Sequence, residues 1–508
     1  MSATLPVEVL PQDEFNQRLV ENAHPPGWVN PKPSGRYNLV VIGAGTAGLV
    51  SAAGAALLGA RVALIERHLM GGDCLNYGCV PSKAFIRAAR AAYAVPEARE
   101  FGIETRIEQI RFAETMRRLR RVRAEISPHD SAERFRGFGA DIFLGHARFL
   151  SGNSVEVAGE RLYFSKAIIA TGARAAMLPI PGLEAVGFLT NETVFSLTEL
   201  PKRLIVIGGG PIGCELAQSF SRLGTKVSIL EQESRLLPRD DADAASILKA
   251  QFESEGISMF LGATIRRAEG SGQEKAVFVD RGNGEERIGT DEILVAAGRA
   301  PNIEGLDLQA VGVAFDKKGI IVDDRLRTSN PNIYSAGDIS SRFQFTHAAE
   351  ALGRIALQNA MFFGRKRASD LVIPWCTYTD PEVAHVGVDG NGNGAQRRRL
   401  ALETFTLPFA GNDRAVLDGE TQGFARVHTR KSDGTVLGAT LVGRHAGESI
   451  GELVLAIQRK LKLRDLAGVI HPYPTQAEII KRLGDLSMRS RFKPWMKNAL
   501  VRFFQWRR

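Results

Sequence analysis

The sequence predicts an α/β protein with two Rossmann-like domains, followed by an α+β domain towards the C-terminal end. Two stretches, 37–67 and 202–232, share one pattern: a strand, a glycine-rich turn, a helix and a second strand. From about residue 369 the chain alternates short strands and helices in a different pattern. Its 508 residues also exceed the size of a single hydrophobic core.

These patterns divide the chain into six segments. An extended arm rich in proline and polar residues comes first, and a basic tail comes last. Between them, the first Rossmann-like domain consists of two pieces that enclose the second domain. The expected segments are 1–36 for the arm, 37–172 and 299–368 for the first domain, 173–298 for the second, 369–486 for the C-terminal domain and 487–508 for the tail.

Each repeat carries a GxGxxG turn with an acidic residue 23 positions after its first glycine. The first glycine permits the tight turn, the second lets a pyrophosphate approach the backbone, and the third brings helix against strand. The acid can accept hydrogen bonds from ribose hydroxyls. The residues are Gly43, Gly45, Gly48 and Glu66 in the first copy and Gly208, Gly210, Gly213 and Glu231 in the second. The alternative is a pair of βαβ units that bind nothing.

Two dinucleotide sites in one chain indicate a flavin and a nicotinamide that exchange electrons. The segments "KAIIATGARAAMLPIPG" and "DEILVAAGRAPN" predict strands that end in glycine turns and close each domain. "PNIYSAGDIS" repeats the pattern of a strand followed by Gly-Asp. All three segments therefore agree with a flavin domain and a nicotinamide domain.

The stretch "GGDCLNYGCVPSK" places two of the four cysteines, Cys74 and Cys79, five positions apart. A zinc site would need a second Cys or His pair nearby, and so small a disulfide ring removes little entropy from the unfolded chain. A redox pair remains. Pro81 suits a first helical turn, so a helix dipole is expected to lower the pKa of Cys79. Cys74 would then attack an external substrate, and Lys83 would add positive charge nearby.

Composition restricts the setting. Four cysteines do not form a disulfide scaffold, and the first residues lack the apolar run of a signal peptide, so we expect a cytoplasmic protein. No nucleic-acid partner is expected, although the net charge is +9. After Asp485 the chain has seven basic residues and no acid, and from Ser487 the pattern predicts an amphipathic helix. This tail would contact an anionic membrane surface or dock on the protein itself.

The motifs "CLNYGCVPSK", "ATG", "GRAPN", "SAGD" and "HPYPTQAE", together with both fingerprints, resemble in type and order those of the class I pyridine nucleotide-disulfide oxidoreductases. The resemblance extends from about residue 37 to residue 485. This family includes dihydrolipoamide dehydrogenase, glutathione reductase and mercuric reductase. Within it, the chain is most similar to the mercuric-reductase-like branch.

The resemblance implies a site for FAD on the first fingerprint and one for NADH on the second, with NADPH as an alternative donor. It makes Cys79 the thiolate beside the flavin and Cys74 the interchange thiol. The residues implied for FAD are Gly43, Gly45, Gly48, Glu66, Gly72, Lys83, Ala147, Thr171, Gly172, Asp338 and Thr346. Those implied for NAD(P) are Gly208, Gly210, Gly213, Glu215, Glu231 and Gly298. Lys83 and Glu215 match the family's ion pair, whereas Asp73 replaces the Thr usual in the cysteine loop.

The activity implied is a relay of electrons from NAD(P)H through FAD and Cys79/Cys74 to a disulfide or a metal ion. Glu231 favours NADH because its carboxylate would repel a 2′-phosphate, an effect that Arg235 would weaken. The resemblance also implies a homodimer in which residues 471–478 complete the partner's site. Two alternatives are a dihydrolipoamide dehydrogenase and a membrane-recruited redox sensor or binding protein.

The last motif departs from the pattern of the dithiol-handling relatives. They carry a His directly before Pro-Thr and a Glu five residues later, where this chain has Tyr473 and Glu478; His471 lies two places early. A phenol with a pKa of about 10 is a poor base at neutral pH. We therefore expect Tyr473 to donate a hydrogen bond, unless His471 takes the role of the base. In the remaining alternative, both residues only pack at the dimer interface.

Overall fold

The computed structural model describes residues 7–271, 274–388 and 401–508. The first six residues of the expected arm, residues 272 and 273, and residues 389–400 of the expected C-terminal domain lie outside the described residues. The chain forms two compact units. The first contains the described residues up to Gly208, with Leu216–Gln232 and Ala263–Leu371, and the second contains Gly209–Glu215, Glu233–Gly262 and Val372–Arg508.

A seven-stranded sheet in the first unit has the strand before the first glycine-rich turn near its centre. Arg36–Ile42 pairs in parallel with Val62–Glu66 on one side and Glu160–Ile169 on the other. Every residue of Val62–Glu66 is buried, as expected for a parallel strand covered on both faces. The strand order is Ala140–Leu144, Val62–Glu66, Arg36–Ile42, Glu160–Ile169, Ser154–Val157 and Ala147–Ser151, and Ile333–Ser335 also pairs with Glu160–Ile169.

The second repeat also forms the predicted parallel strands. Arg203–Ile207 pairs with Lys226–Glu231 and with Glu292–Val295. The α/β fold class expected from the repeats is therefore confirmed. The other strands of the first unit are antiparallel: Thr264–Ser271, Glu274–Asp280 and Glu285–Thr290 form one sheet, Ala173–Ala175 pairs with Arg299–Pro301, and Phe315–Asp316 pairs with Gly319–Ile320.

Two helices of the first unit pack so closely that only glycine fits between them. Thr46–Leu57 follows the first glycine-rich turn, and Thr346–Met361 lies against it. A Cβ atom on Gly353 would come within 2.7 Å of the Ala47 carbonyl oxygen, and Ser51 donates a hydrogen bond to the Gly353 carbonyl at 3.1 Å. The remaining α-helices are Gly72–Asn76, Cys79–Glu97, Phe112–Ile126, Ala132–Gly137, Leu183–Val186 and Pro211–Arg222, the last with residues in both units; the 3₁₀ helices are Ala98–Phe101, Ser127–Asp130, Val194–Ser196, Leu308–Val311 and Ala368–Asp370.

The sequence suggested an extended N-terminal arm, but part of this segment is helical. It contains the helix Glu14–Ala23, whose N-cap Asp13 accepts hydrogen bonds from the backbone of the first turn. Leu19 and Ala23 have no exposed surface. Asp13 also pairs with Arg120 at 2.5 Å. Packing against a helix more than a hundred residues away stabilises this segment, which its proline-rich composition did not indicate.

A five-stranded antiparallel sheet forms the centre of the second unit. Its buried face packs against helices, as expected for an α+β domain. The strands follow the order Pro374–Thr377, Glu382–Gly387, Val436–Gly443, Phe424–Arg430 and Leu402–Pro408. Strand Ser258–Leu261 also belongs to this unit, with the α-helices Ala242–Ser254, Asp413–Leu417, Ala446–Gln458, Glu478–Ser490 and Pro494–Trp506 and the 3₁₀ helices Phe409–Gly411 and Leu463–Gly468.

The C-terminal tail is helical, but its helix begins later than expected. Ser487 belongs to the preceding helix, Glu478–Ser490, and the tail helix runs from Pro494 to Trp506. None of its residues is buried. Throughout the described part of the chain, no helix is both long and apolar enough to cross a membrane.

Candidate active site

The first glycine-rich turn leaves no space for a side chain at its first and third glycines. Gly43 has a φ of +101°, and a Cβ atom there would lie 2.4 Å from the Ala170 carbonyl oxygen. A Cβ atom on Gly48 would lie 1.8 Å from the Gly43 carbonyl oxygen. The helix that follows has Gly45 as its N-cap, so no side chain caps its first N–H groups. Such an uncapped helix start is a suitable site for phosphate.

Several residues expected around the adenosine part of a dinucleotide line one cleft. Gly43, Glu66, Ala147 and Thr171 all border it. The Glu66 carboxylate accepts hydrogen bonds from the backbone N–H groups of Ala44 at 2.7 Å and of His68 at 2.8 Å. Burial raises the pKa of Glu66. The cleft is also bordered by residues that the sequence did not single out, among them Arg67, His146, Asn302 and Glu304.

Asp338 lies in a second buried part of the first unit, next to Arg299. Burial raises the pKa of Asp338 to about 6, although the Arg299 guanidinium, 3.7 Å away, acts in the opposite direction. Arg299 Nε is buried and has no hydrogen-bond partner within residues 7–271, 274–388 and 401–508. Sequence reasoning missed Arg299, which follows Gly298 in the motif "GRAPN". A buried donor of this kind is normally satisfied by a ligand or water.

The cysteine loop lies directly against the first glycine-rich turn. A Cβ atom on Gly72, whose φ is +58°, would be 2.6 Å from the Gly45 Cα atom. Gly72 begins the short helix Gly72–Asn76, which carries Cys74, and Cys79 begins the next helix, Cys79–Glu97. The chain fold therefore brings the expected redox pair to the expected phosphate-binding turn.

The two thiols hydrogen-bond to each other, and this bond makes them unequal. The bond from Cys74 is the main reason that the pKa of Cys79 is lowered to about 6. The Thr346 hydroxyl, 3.2 Å from Cys79 Sγ, and the Lys83 ammonium lower it further, while burial opposes them. The same bond, with burial, raises the pKa of Cys74. The expected order of acidity is thus present, but a neighbouring thiol is its main cause.

The residues of the second fingerprint are divided between the two units. Gly208 has a φ of +113°, and a Cβ atom there would lie 2.9 Å from the Ala296 carbonyl oxygen. Gly298 also has a positive φ of +81°. Glu231 ends the strand Lys226–Glu231. These observations support a tight turn after Arg203–Ile207, and the binding roles of the residues stay predictions.

The expected ion pair between Lys83 and Glu215 also stays a prediction, because the two residues fall in different units. Glu215 is only 6% exposed, and its carboxylate accepts a hydrogen bond from the Tyr378 backbone N–H at 2.8 Å. Gly210, in the same unit, has open space at its Cβ position. Gly213 lies in the helix Pro211–Arg222.

Tyr473, His471 and Glu478 all lie in the second unit. Tyr473 is 71% exposed, and its hydroxyl donates to Asp413 Oδ2 at 3.0 Å. Asp413 is the main reason that the pKa of Tyr473 is raised, and Glu478 adds a smaller effect of the same sign. Sequence reasoning identified Glu478 near Tyr473 but missed Asp413.

His471 is already bonded through both ring nitrogens. Its Nε2 is 2.8 Å from the Glu452 carboxylate, and its Nδ1 is 3.2 Å from the Val469 carbonyl oxygen. Its side chain is 8% exposed. Tyr473 is therefore the member of the "HPYPT" motif whose polar group lies at an exposed position.

Comparisons with known proteins agree with these features. Residues 37–353 match the family model for pyridine nucleotide-disulphide oxidoreductases, and residues 373–483 match the model for the dimerisation domain of that family. A mercuric reductase from Lysinibacillus sphaericus is 35% identical over 446 residues, covering 88% of this chain and 81% of the relative. A dihydrolipoyl dehydrogenase from Chlamydia trachomatis is 35% identical over 450 residues, covering 87% and 95%.

Among solved structures, the HOCl-induced flavoprotein disulfide reductase RclA from Escherichia coli superposes with a TM-score of 0.78 at 28% identity, covering 89% of this chain and 100% of that one. The same bacterial protein has also been solved as a Cu(II) complex, which superposes with a TM-score of 0.79 at 27% identity over 89% of this chain and 100% of that one.

The hydrogen bond between the thiols leads to a prediction for the reduced protein. Replacing Cys74 with Ala removes the main donor to Cys79, so the pKa of Cys79 should rise by roughly one unit or more. Less thiolate would then be present at pH 7, because the lost bond favoured the charged form. Thiolate absorbance in the ultraviolet, followed as a function of pH, measures the shift. Cys74→Ser, which keeps a hydroxyl donor, should shift the Cys79 titration less. Cys79→Ser should abolish the component of the absorbance that titrates near pH 6. An unchanged titration in Cys74→Ala would mean that Lys83 and Thr346 set the pKa.

Proposed function

The chain belongs to the pyridine nucleotide-disulphide oxidoreductase family, and from this premise we propose that its Cys74–Cys79 pair reduces a disulfide or a metal ion. The protein is a flavin-dependent enzyme of a family whose members bind FAD and NAD(P)H. It carries the family's dimerisation domain and is a homodimer. The observation that carries the proposal is the hydrogen-bonded thiol pair at the start of Cys79–Glu97.

We propose that FAD binds across the first glycine-rich turn and the cleft beside it. The uncapped helix start after Gly45 would hold the pyrophosphate, and Glu66 would accept hydrogen bonds from ribose. The buried Nε of Arg299 supports this fit, since it is a donor that a bound group would satisfy. The other residues proposed to contact FAD are Gly43, Gly48, Gly72, Lys83, Ala147, Thr171, Gly172, Asp338 and Thr346. When bound, FAD supplies the two-electron chemistry that regenerates the dithiol.

The two thiols divide the reaction with a disulfide acceptor between them. Cys79, as the thiolate, takes the proton of Cys74 along their hydrogen bond, and Cys74 attacks one sulfur of the acceptor. A mixed disulfide forms, and the first thiolate leaves and takes up a proton. Cys79, after giving its proton to that first thiolate, attacks Cys74, so that the Cys74–Cys79 disulfide forms and the second half of the acceptor leaves as a thiolate, which takes a proton from Tyr473 or solvent. The dithiol has lost two electrons, and the acceptor has become two thiols.

Tyr473 is proposed to donate a proton to the leaving thiolate and not to act as a base. Its hydrogen bond to Asp413 and its raised pKa keep it protonated near neutral pH. This favours reduction of an acceptor over oxidation of a dithiol, which needs a base. We propose that it acts on the partner's cysteines in the homodimer. A metal acceptor is compatible with the same pair, since thiolates are ligands for soft metals.

Replacing Tyr473 with His should increase the oxidation of dihydrolipoamide at pH 7 by about tenfold or more, because an imidazole can accept a proton there. Steady-state assays of the full-length enzyme measure this rate. The matched control is His471→Gln, which should leave the low wild-type rate unchanged because His471 is bonded within its own chain. Rapid oxidation by the wild type that His471→Gln abolishes would instead make the protein a dihydrolipoamide dehydrogenase with His471 as its base.

NADH is proposed as the preferred donor. Glu231 would bond the ribose hydroxyls and repel a 2′-phosphate, and the Arg235 guanidinium already donates to the Pro238 carbonyl at 2.8 Å. We expect NADH to reduce the bound flavin with a higher kcat/KM than NADPH in anaerobic rapid mixing. Glu231→Ser should reduce the difference in kcat/KM between NADH and NADPH. Faster reduction by NADPH in the wild type would contradict this assignment.

The tail helix is proposed to bind to the surface of an anionic membrane without crossing it. At 100° per residue, Trp495, Leu500, Phe503, Phe504 and Trp506 fall on one side of Pro494–Trp506, and all are at least 41% exposed. The other side carries Lys497, Asn498, Arg502 and Gln505. A helix with aromatic residues on one side and basic residues on the other is typical of attachment to anionic lipid.

Two neighbouring residues on this helix allow a matched comparison. Leu500 and Val501 are 41% and 45% exposed, but only Leu500 lies on the aromatic side. Leu500→Ser should therefore reduce flotation of the full-length protein with anionic vesicles, and Val501→Ser should have little effect. Zwitterionic vesicles should bind weakly. Equal flotation of wild type and Leu500→Ser would show that this side of the helix packs against protein. A change in the oligomeric state of Leu500→Ser, without a change in flotation, would show the same.

A further inference from the structure

We propose that Asp73 is a positioning residue, which fixes the cysteine loop to two distant segments and keeps the Cys74–Cys79 dithiol strongly reducing. This inference rests on the proposed role of the pair as an electron donor. Asp73 immediately precedes Cys74 in the cysteine loop. The mechanism above gives it no part.

Both oxygens of the Asp73 carboxylate are engaged. Oδ1 accepts a hydrogen bond from the Asn191 side-chain amide at 3.0 Å, and Oδ2 lies 3.3 Å from the Arg299 guanidinium. Arg299 is itself held in place, since it donates to the Ala173 carbonyl at 2.9 Å and its side chain is only 14% exposed. Asp73 therefore connects the loop to residues 118 and 226 positions further along the chain.

The same carboxylate lies beside the residue that precedes Cys79. A Cβ atom on Gly78 would be 2.9 Å from the Asp73 carbonyl oxygen and 3.0 Å from Asp73 Oδ2, so glycine at this position lets Asp73 lie close to the backbone. Asp73 also accepts the Tyr77 backbone N–H through its carbonyl at 2.9 Å. The negative charge of Asp73 therefore lies beside the start of the helix that carries Cys79. The positive charge of Lys83 lies in the first turns of the same helix.

The two charges act on Cys79 in opposite directions. Lys83 lowers the pKa of Cys79, and Asp73 raises it. A dithiol whose thiolate is strongly stabilised is easily retained in the reduced form and is a poor reductant. By limiting that stabilisation, Asp73 makes the pair more ready to give up electrons. The Arg299 guanidinium, 3.3 Å from Oδ2, holds this carboxylate in its half-buried position.

The test compares Asp73→Asn with Asp73→Glu in the full-length holoenzyme. Asn keeps nearly the same shape and removes the charge, whereas Glu keeps the charge. In Asp73→Asn the pKa of Cys79 should fall, and the dithiol–disulfide equilibrium in a glutathione redox buffer should shift several-fold towards the dithiol. Asp73→Glu should stay close to wild type in both measurements. Asp73→Thr, which also removes the charge, should behave like Asp73→Asn.

Glu192→Gln is the control for a general loss of negative charge, since Glu192 is an exposed neighbour of Asn191. It should change neither the Cys79 titration nor the redox equilibrium. If Asp73→Asn leaves both unchanged, or loses thermal stability without moving either, the proposal is overturned. Neither measurement uses an acceptor substrate. A wild-type enzyme that reduces no disulfide or metal would therefore overturn the proposed function and leave the result for Asp73 intact.

Discussion

Gly72 packs so closely against Gly45 that a Cβ atom on Gly72 would come within 2.6 Å of the Gly45 Cα atom. Gly45 belongs to the turn that opens the helix Thr46–Leu57, and Gly72 begins the loop that carries both redox cysteines. This contact of backbone with backbone sets the distance between the proposed pyrophosphate site and the cysteine pair. The buried parallel strands behind the turn hold one side of it in place.

The chemistry of the site depends on a difference in acidity between the two cysteines that this contact holds in place. Two thiols of the same intrinsic acidity become one acidic and one weakly acidic group because they share a hydrogen bond. Thr346 and Lys83 then act on Cys79 from two different helices. Since helix ends and a short loop bring all these groups together, the difference in acidity is a property of the tertiary fold as much as of the CxxxxC spacing.

Local patterns in the sequence were sufficient for the repeats, the glycine turns, the cysteine pair and the fold class, because each depends on residues within about thirty positions of one another. Contacts over longer separations were missed. Asp413 lies 60 positions from Tyr473, and Asn191 lies 118 from Asp73. The helix Glu14–Ala23 escaped detection for the same reason, since its stability depends on packing against Phe112–Ile126.

The anchoring of Asp73 to Asn191 and Arg299 has a consequence for protein engineering. The thirteen-residue stretch "GGDCLNYGCVPSK" resembles a portable cassette that could be grafted onto another Rossmann-like scaffold. Grafted alone, it would carry the Asp73 carboxylate without its partners Asn191 and Arg299. The smallest transferable unit is the loop together with the two distant residues, so the motif and its scaffold have to be exchanged as one.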